Sequence, residues 1–139
     1  MKIIICLDNN NGLMFNNRRQ SKDSKVIENI FEIIGSANLY INDFSADIFA
    51  DRNVIKCNDF LEKCQKDDYC FVENIDFEKY IDKINTIIIY RWNRSYPFDK
   101  KLNTGFLTSF HLENSTDFAG TSHDKITREE YLYYEKNKN

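Results

Sequence analysis

The chain opens on Lys2-Ile3-Ile4-Ile5-Cys6-Leu7 and then breaks into Asp8-Asn9-Asn10-Asn11-Gly12-Leu13. Consecutive isoleucines leave no polar face, so the run reads as a strand covered on both sides. A buried strand at the start of a chain belongs in the middle of its sheet, and the rest of the fold has to be added to either side of it. The Asn/Gly segment that follows returns the chain over the strand's C-terminal end, where open α/β sheets collect their ligands. It closes on Arg18-Arg19-Gln20-Ser21-Lys22-Asp23, a polar and mainly basic run.

What can surround that strand is bounded by size. At 139 residues, 42% hydrophobic and 14% aromatic, the chain suffices for one packed core and is too short for two. A single domain over residues 1–136 is expected, with a frayed tail at 137–139 where Asn and Lys accumulate. A formal charge of −3 gives no general attraction for phosphate backbones, which makes a protein or small anionic ligand a better expectation than nucleic acid. Cys6, Cys57, Cys64 and Cys70 form no Cys-x-x-Cys pair, and no charged leader precedes them. A reduced, cytoplasmic protein without a metal site is expected. The apolar runs fall far short of the roughly 20 residues of a spanning helix, so no membrane role is expected.

Along the chain, Val26, Ile27, Ile30, Phe31 and Ile34 repeat with helical spacing from Asp23 or Ser24 to a stop at Gly35. Asn38 to Asn42 reads as a second strand parallel to the first, followed by a brief helix over Asp43–Ala50. Val54 to Lys56 is a minimal strand, and Asp59 with Glu62 has the spacing of a capping box. Tyr69 to Val72 reads as a strand, Phe77 to Ile81 as a helix, and Ile87 to Tyr90 as a second fully buried strand. Beyond Pro97, placed in a turn, Phe106 to Leu112 alternates as a strand, and Glu130 to Tyr134 reads as its antiparallel partner. Thr127 and Glu130 also have capping-box spacing.

This order, a parallel α/β start followed by a buried strand and an antiparallel end, resembles dihydrofolate reductase along nearly the whole chain. The resemblance rests on the loop Asp8 to Gly12, which matches an Asp-x-x-x-Gly pattern, on the acid Asp23 at the first helix, on Leu39 to Phe49, and on Ile87 to Pro97. It implies a three-layer α/β fold of reduced size, with a mainly parallel central sheet and C-terminal antiparallel strands. The reductases hold their nicotinamide cofactor with a Gly-Arg pair after the second strand and a Gly-Gly pair after a later one. This chain has Asn42-Asp43 and Glu73-Asn74 there. Each carboxylate would oppose a cofactor phosphate by a few kcal/mol at about 4 Å and an effective dielectric near ~20. The strand that contacts the cofactor's extra phosphate falls in a deletion between Asp51 and Val54. The loop with the arginine that grips the folate tail goes with it, and the aromatic expected before the acid is Arg18. No cofactor is expected. The opening, with Phe15-Asn16-Asn17-Arg18-Arg19-Gln20-Ser21 and Tyr90-Arg91-Trp92-Asn93-Arg94, is also similar to small clostridial proteins that carry the label ribonuclease Z. That enzyme's zinc pair needs a dense His-x-His-x-Asp-His cluster, whereas this chain has two histidines, His111 and His123.

The residues left to carry function lie where both buried strands end. Asn9, Asn11, Asn16, Arg18 and Arg19 on one side and Tyr90, Arg91, Trp92, Arg94 and Tyr96 on the other would form a ligand or partner surface, basic and aromatic. The plainer reading pairs Arg91 and Arg94 with nearby acids such as Asp99 or Glu73 and makes Trp92 an anchor of the core or a hairpin. Asp23 is the one candidate catalytic acid, with the simpler role of a helix N-cap. His111 reads as a surface or packing residue, and Gly120 to Thr127, which holds His123, as a structured loop. The resulting expectation is a non-enzymatic binding or regulatory protein on a degenerate reductase fold. The alternative is a nucleotide- or RNA-directed enzyme with Asp23 as acid or base and arginines as phosphate clamps. Partner identity and oligomeric state do not follow from the sequence.

Overall fold

Ile3, Ile4, Ile5 and Leu7 are fully buried on both faces, and the strand that carries them stands fourth of seven in the main sheet. The structure is a computed structural model and describes residues 1–134; the tail expected at 137–139 lies outside the described residues. In chain order the strands are β1 (Lys2–Leu7), β2 (Gly12–Phe15), β3 (Arg18–Arg19), β4 (Leu39–Ile41), β5 (Ile55–Lys56), β6 (Tyr69–Phe71), β7 (Thr86–Arg91), β8 (Lys100–Lys101), β9 (Phe110–Phe118) and β10 (Ile126–Tyr133). Helix α1 (Ser24–Ile34) follows β3 and the single turn α2 (Phe60–Lys63) follows β5, with 3-10 segments at Asp43–Phe49, Glu78–Lys83 and Thr104–Ser109.

The main sheet has the order β5-β4-β6-β1-β7-β10-β9. Strand β1 pairs in parallel with β6 and with β7, and β10 closes antiparallel on both β7 and β9. The two parallel strands expected at the start, β1 and β4, do share the sheet in one direction, but β6 is inserted between them. Alternation along β1 and β7 divides the core: Ile3, Ile5, Leu7, Ile87 and Ile89 pack with Phe60 and Phe77 on one face. Ile4, Ile88, Tyr90 and Trp92 pack with Val26, Ile30 and Ile34 of α1 on the other. Asp23 caps α1 by accepting from the Lys25 amide at 2.9 Å, and Gly35 ends it at φ +57, a conformation that side chains resist.

Four local expectations are corrected. The segment Thr104–Ser109 is a 3-10 turn and β9 begins only at Phe110. Edge contacts of Phe106 with Phe77 and Phe110 hold that turn against the core in place of a ladder. The Phe77–Ile81 helix is a 3-10 segment, Glu78–Lys83. The Asp59/Glu62 capping box does not form, because the Asp59 carboxylate accepts from the Cys57 thiol and Glu62 from the Tyr80 hydroxyl. Thr127 and Glu130 lie within β10, where the Thr127 hydroxyl donates across the ladder to Asp117 at 2.7 Å. A small second sheet, β3-β2-β8, was not anticipated; Asn16 and Asn17, at φ 51 and φ 60, turn the chain tightly enough to pair β2 with β3.

Candidate functional site

Two buried carboxylates organise the end of the sheet where β1 and β7 finish. Asp8, fully buried, accepts from the Asn10 and Gly12 amides at 2.8 and 2.7 Å, and from Gln20 and the Tyr96 amide at 3.1 and 3.0 Å. Gly12 gives this cluster room: a Cβ there would stand 2.5 Å from Gln20 Nε2 and 2.9 Å from Asp8 Oδ1. The Asn9 amide donates to the Arg94 carbonyl at 2.9 Å, so the loops after β1 and β7 do meet.

The second carboxylate, Asp23, is also sealed from solvent and accepts from three amides, Lys25, Thr121 and Ser122, each at 2.9 Å. Ser122 Oγ is 3.3 Å away and His123 Nδ1 2.8 Å. Burial alone would raise its pKa, but the Thr121 amide, the His123 ring and the Ser122 and Lys25 amides together hold it well below the usual carboxylate range. Asp23 therefore stays ionised and His123 donates to it from Nδ1; in the tautomer with that hydrogen Nε2 is the acceptor. Two hydroxyls reach that nitrogen, Ser21 Oγ at 2.9 Å and Tyr96 Oη at 3.1 Å. Trp92 stacks on the imidazole, with ring centres 4.6 Å apart and planes 23° from parallel. Gly120 lets the loop close, because a Cβ there would fall 2.5 Å from Asp23 Oδ2.

Asp23 fills the N-cap role read for it, and its carboxylate, sealed from solvent, ties α1 to the loop that carries His123. The reading of the Gly120–Thr127 loop as structured fits the bonds it makes, and the signal for His123 was that density of polar side chains. Its partner lies 100 residues away, which no local pattern displays.

The expected ligand surface divides. Asn9, Asn16, Arg18 and Arg94 are exposed, and Asn11 and Tyr96 partly so. Tyr90 and Trp92 leave the ligand surface: they share the face of Ile88 that α1 covers, as the buried-strand reading of Tyr90 and the core-anchor reading of Trp92 have it, and the Tyr90 hydroxyl is spent on Asn29 at 2.7 Å. Arg19 is corrected from an anion ligand to an internal tie. It grips Glu73 through Nε at 2.8 Å and Nη2 at 3.0 Å, and Asp47 at 2.8 and 2.9 Å, while its guanidinium lies 5.0 Å from the Phe44 ring centre. Arg91 pairs with Glu129 at 3.0 Å and Asn11 at 2.6 Å, so the acid-pairing reading holds with a different acid. Among the described residues neither Arg18 nor Arg94 has an ion-pair partner.

At Asn42-Asp43 and Glu73-Asn74 the two segments are tied together. Asn42 donates to Asn74 Oδ1 at 3.0 Å, and Glu73, held by Arg19, also accepts from Ser45 Oγ at 2.7 Å. The space between Cys6, Gln20, Glu73 and Trp92 is reduced to 10 Å³, about one water. Outside this seal a cleft of 570 Å³ opens between the Asn17–Lys22 segment and the 3-10 turn at Phe44 and Asp47, with Arg18, Ser21 and Lys22 on its wall. Among the described residues no three His, Cys, Asp or Glu side chains gather as a metal site, and no helix is long and apolar enough to cross a membrane.

Neither a protein-family profile nor a curated protein matches the sequence. Among solved structures, the chain is similar to a dihydrofolate reductase from Enterococcus faecalis complexed with NADP(H) and RAB-propyl. The superposition covers 95% of each chain at a TM-score of 0.68 and 8% identity. The chain has a dihydrofolate-reductase-like fold.

Proposed function

We propose that this protein works by binding and not by reducing folates, and that its ligand is a small anionic molecule held in the cleft beside Arg18 and Lys22. One observation carries the reading: the segments that hold the nicotinamide cofactor in the reductases it resembles are here joined by the Asn42–Asn74 hydrogen bond and locked by Arg19 on Glu73. Opening them to admit a cofactor would break charge-assisted bonds at partly buried carboxylates, at a cost of about 1.5–3 kcal/mol for each bond. The exposed cations lie on the other side of that seal. Arg18 and Lys22 share the wall of the open cleft with Asn17, whose amide side chain can add a hydrogen bond to an anion. A protein partner remains compatible with this surface through an acidic side chain, and nucleic acid is disfavoured by the net charge of −3.

Thermal-shift measurements test the reading. NADPH and folate are expected to leave the melting temperature unchanged, whereas millimolar pyrophosphate should raise it, and the double variant Arg18→Glu/Lys22→Glu should abolish that rise. A saturable shift with NADPH would overturn the claim that the cofactor site is closed. Labelled RNA should survive incubation with the purified protein, with and without chelator; clean cleavage would favour the nucleotide-directed alternative.

A further inference from the structure

The hydroxyl of Ser21 plays no part in the binding of an anion proposed above. Ser21 Oγ stands 2.9 Å from His123 Nε2, and His123 Nδ1 stands 2.8 Å from Asp23 Oδ2. The imidazole is held by its stack on Trp92 and by burial, with 2% of the His123 side chain exposed. Ser21 is only partly buried and lies on the wall of the 570 Å³ cleft. A clasp on the Gly120–Thr127 loop needs no more than Asp23 with the amides of Thr121 and Ser122. The closure does not require the further bond from the far nitrogen of the ring to the hydroxyl of Ser21, a residue on the wall of an open cleft. It does place a nucleophile, a base and an orienting carboxylate in sequence, the arrangement that activates serine for acyl transfer on unrelated folds.

We infer that Ser21 is the nucleophile of an acyl-transfer site, with His123 as its base and Asp23 as the positioning carboxylate, acting on an ester or thioester that carries an anionic group. Ser21 Oγ bonds to the acyl carbon while the bond from that carbon to the leaving oxygen or sulfur breaks. The Ser21 proton passes to His123 Nε2 and from there to the leaving alcohol or thiol. Water then attacks the acyl-serine and gives a proton to His123, which returns it to Ser21 Oγ as the carboxylic acid departs. Solvent is the only co-reactant. Arg18 and Lys22 on the same cleft meet the anionic group. This choice of substrate rests on the binding reading above, whereas the nucleophile does not. Tyr96 Oη, 3.1 Å from the same nitrogen and 3.5 Å from Ser21 Oγ, competes with Ser21 for one lone pair and restrains it.

The test is covalent labelling of the full chain with an uncharged fluorophosphonate, followed by peptide mass spectrometry. A single adduct on Ser21 is expected, absent from Ser21→Ala and forming about twofold faster in Tyr96→Phe, where one of two competing donors is gone. Both substitutions remove a single hydroxyl, so both variants are expected to melt with the parent protein. No adduct on the parent chain, or one that persists in Ser21→Ala, would overturn the inference. Hydrolysis of p-nitrophenyl acetate and of the anionic mono-p-nitrophenyl succinate then tests the substrate class. The succinate should react about tenfold faster, and Arg18→Glu/Lys22→Glu should reverse the preference. Labelling of Ser21 without that preference would support the nucleophile and overturn the anionic substrate, together with the binding reading.

Discussion

Asp8 and Asp23 are both buried aspartates at the end of one sheet, and they serve different ends. Asp8 accepts only from neutral donors, two amides of its own turn, the Gln20 side chain and the Tyr96 amide. It is a clasp that sets the shape of two loops and leads nowhere else. Asp23 has a similar number of donors, but one is an imidazole whose other nitrogen reaches a hydroxyl at the edge of a cleft. A buried carboxylate becomes more than a structural tie when one of its donors can pass the interaction outward.

The largest effects should come from breaking that contrast at the carboxylates. Asp23→Ala leaves His123 and three amides without their acceptor inside the core and should cost about 3–5 kcal/mol of stability in urea unfolding. Asp8→Ala should cost less, about 2–3 kcal/mol, because it orphans only amide donors, the Asn10, Gly12 and Tyr96 amides and the Gln20 side chain, and no buried imidazole. If Asp8→Ala proved the more damaging, the ranking of the two sites would be wrong. Next in size are the glycines that admit each carboxylate. Gly120→Ala should destabilise by about 1–3 kcal/mol, since its Cβ would meet an immobilised Asp23 oxygen at 2.5 Å. Gly12→Ala meets at 2.5 Å only the end of the Gln20 side chain, which can swing away, and the fixed Asp8 oxygen at 2.9 Å, so it should cost less.

Smaller still, Arg19→Ala should lower the unfolding midpoint by the equivalent of about 2 kcal/mol through loss of its bonds to Glu73, while neighbouring Arg18→Ala leaves the midpoint nearly unchanged. The acid limb gives the last test. The Asp23 pKa is lowered in the folded chain, so above about pH 4 both states are ionised and its contribution is fully present. Below that point the unfolded carboxyl takes up a proton that the folded one refuses, and stability falls as pH falls. Melting temperatures measured between about pH 5 and pH 2 should decline in the parent protein and decline less in Asp23→Asn.

What could be read from the sequence follows the range of the interactions. The central strand was legible because Ile3, Ile4 and Ile5 are apolar on both faces, and α1 because Val26, Ile30 and Ile34 recur at a helical interval. The β2–β3 hairpin pairs a short apolar strand with only two residues, Arg18 and Arg19, too few to show an alternating pattern, and its one signal, Asn16-Asn17 between Phe15 and Arg18, falls inside the stretch that reads as a ligand loop. Arg19 reads as a free cation in sequence because its carboxylates lie 28 and 54 residues away. Tyr90 ends the buried run and Trp92 stands two residues beyond it, so the sequence leaves both open to a surface or a core reading. Alternation from Ile88 carries both onto the face covered by α1. The pairing of Ser21 and Asp23 with His123 depends on β10 and the preceding loop arriving beside α1, a tertiary event with no local trace.

Trp92 is the only tryptophan in the chain, and it lies flat against His123. Indole emission depends on what touches the ring, so the fluorescence of the whole protein reports from one place. A change in the imidazole's position or hydrogen bonding, whether caused by acylation of Ser21 or by ligand in the cleft, should alter the emission without any added dye. The stack that fixes the histidine thus makes the site visible to a spectrometer from within.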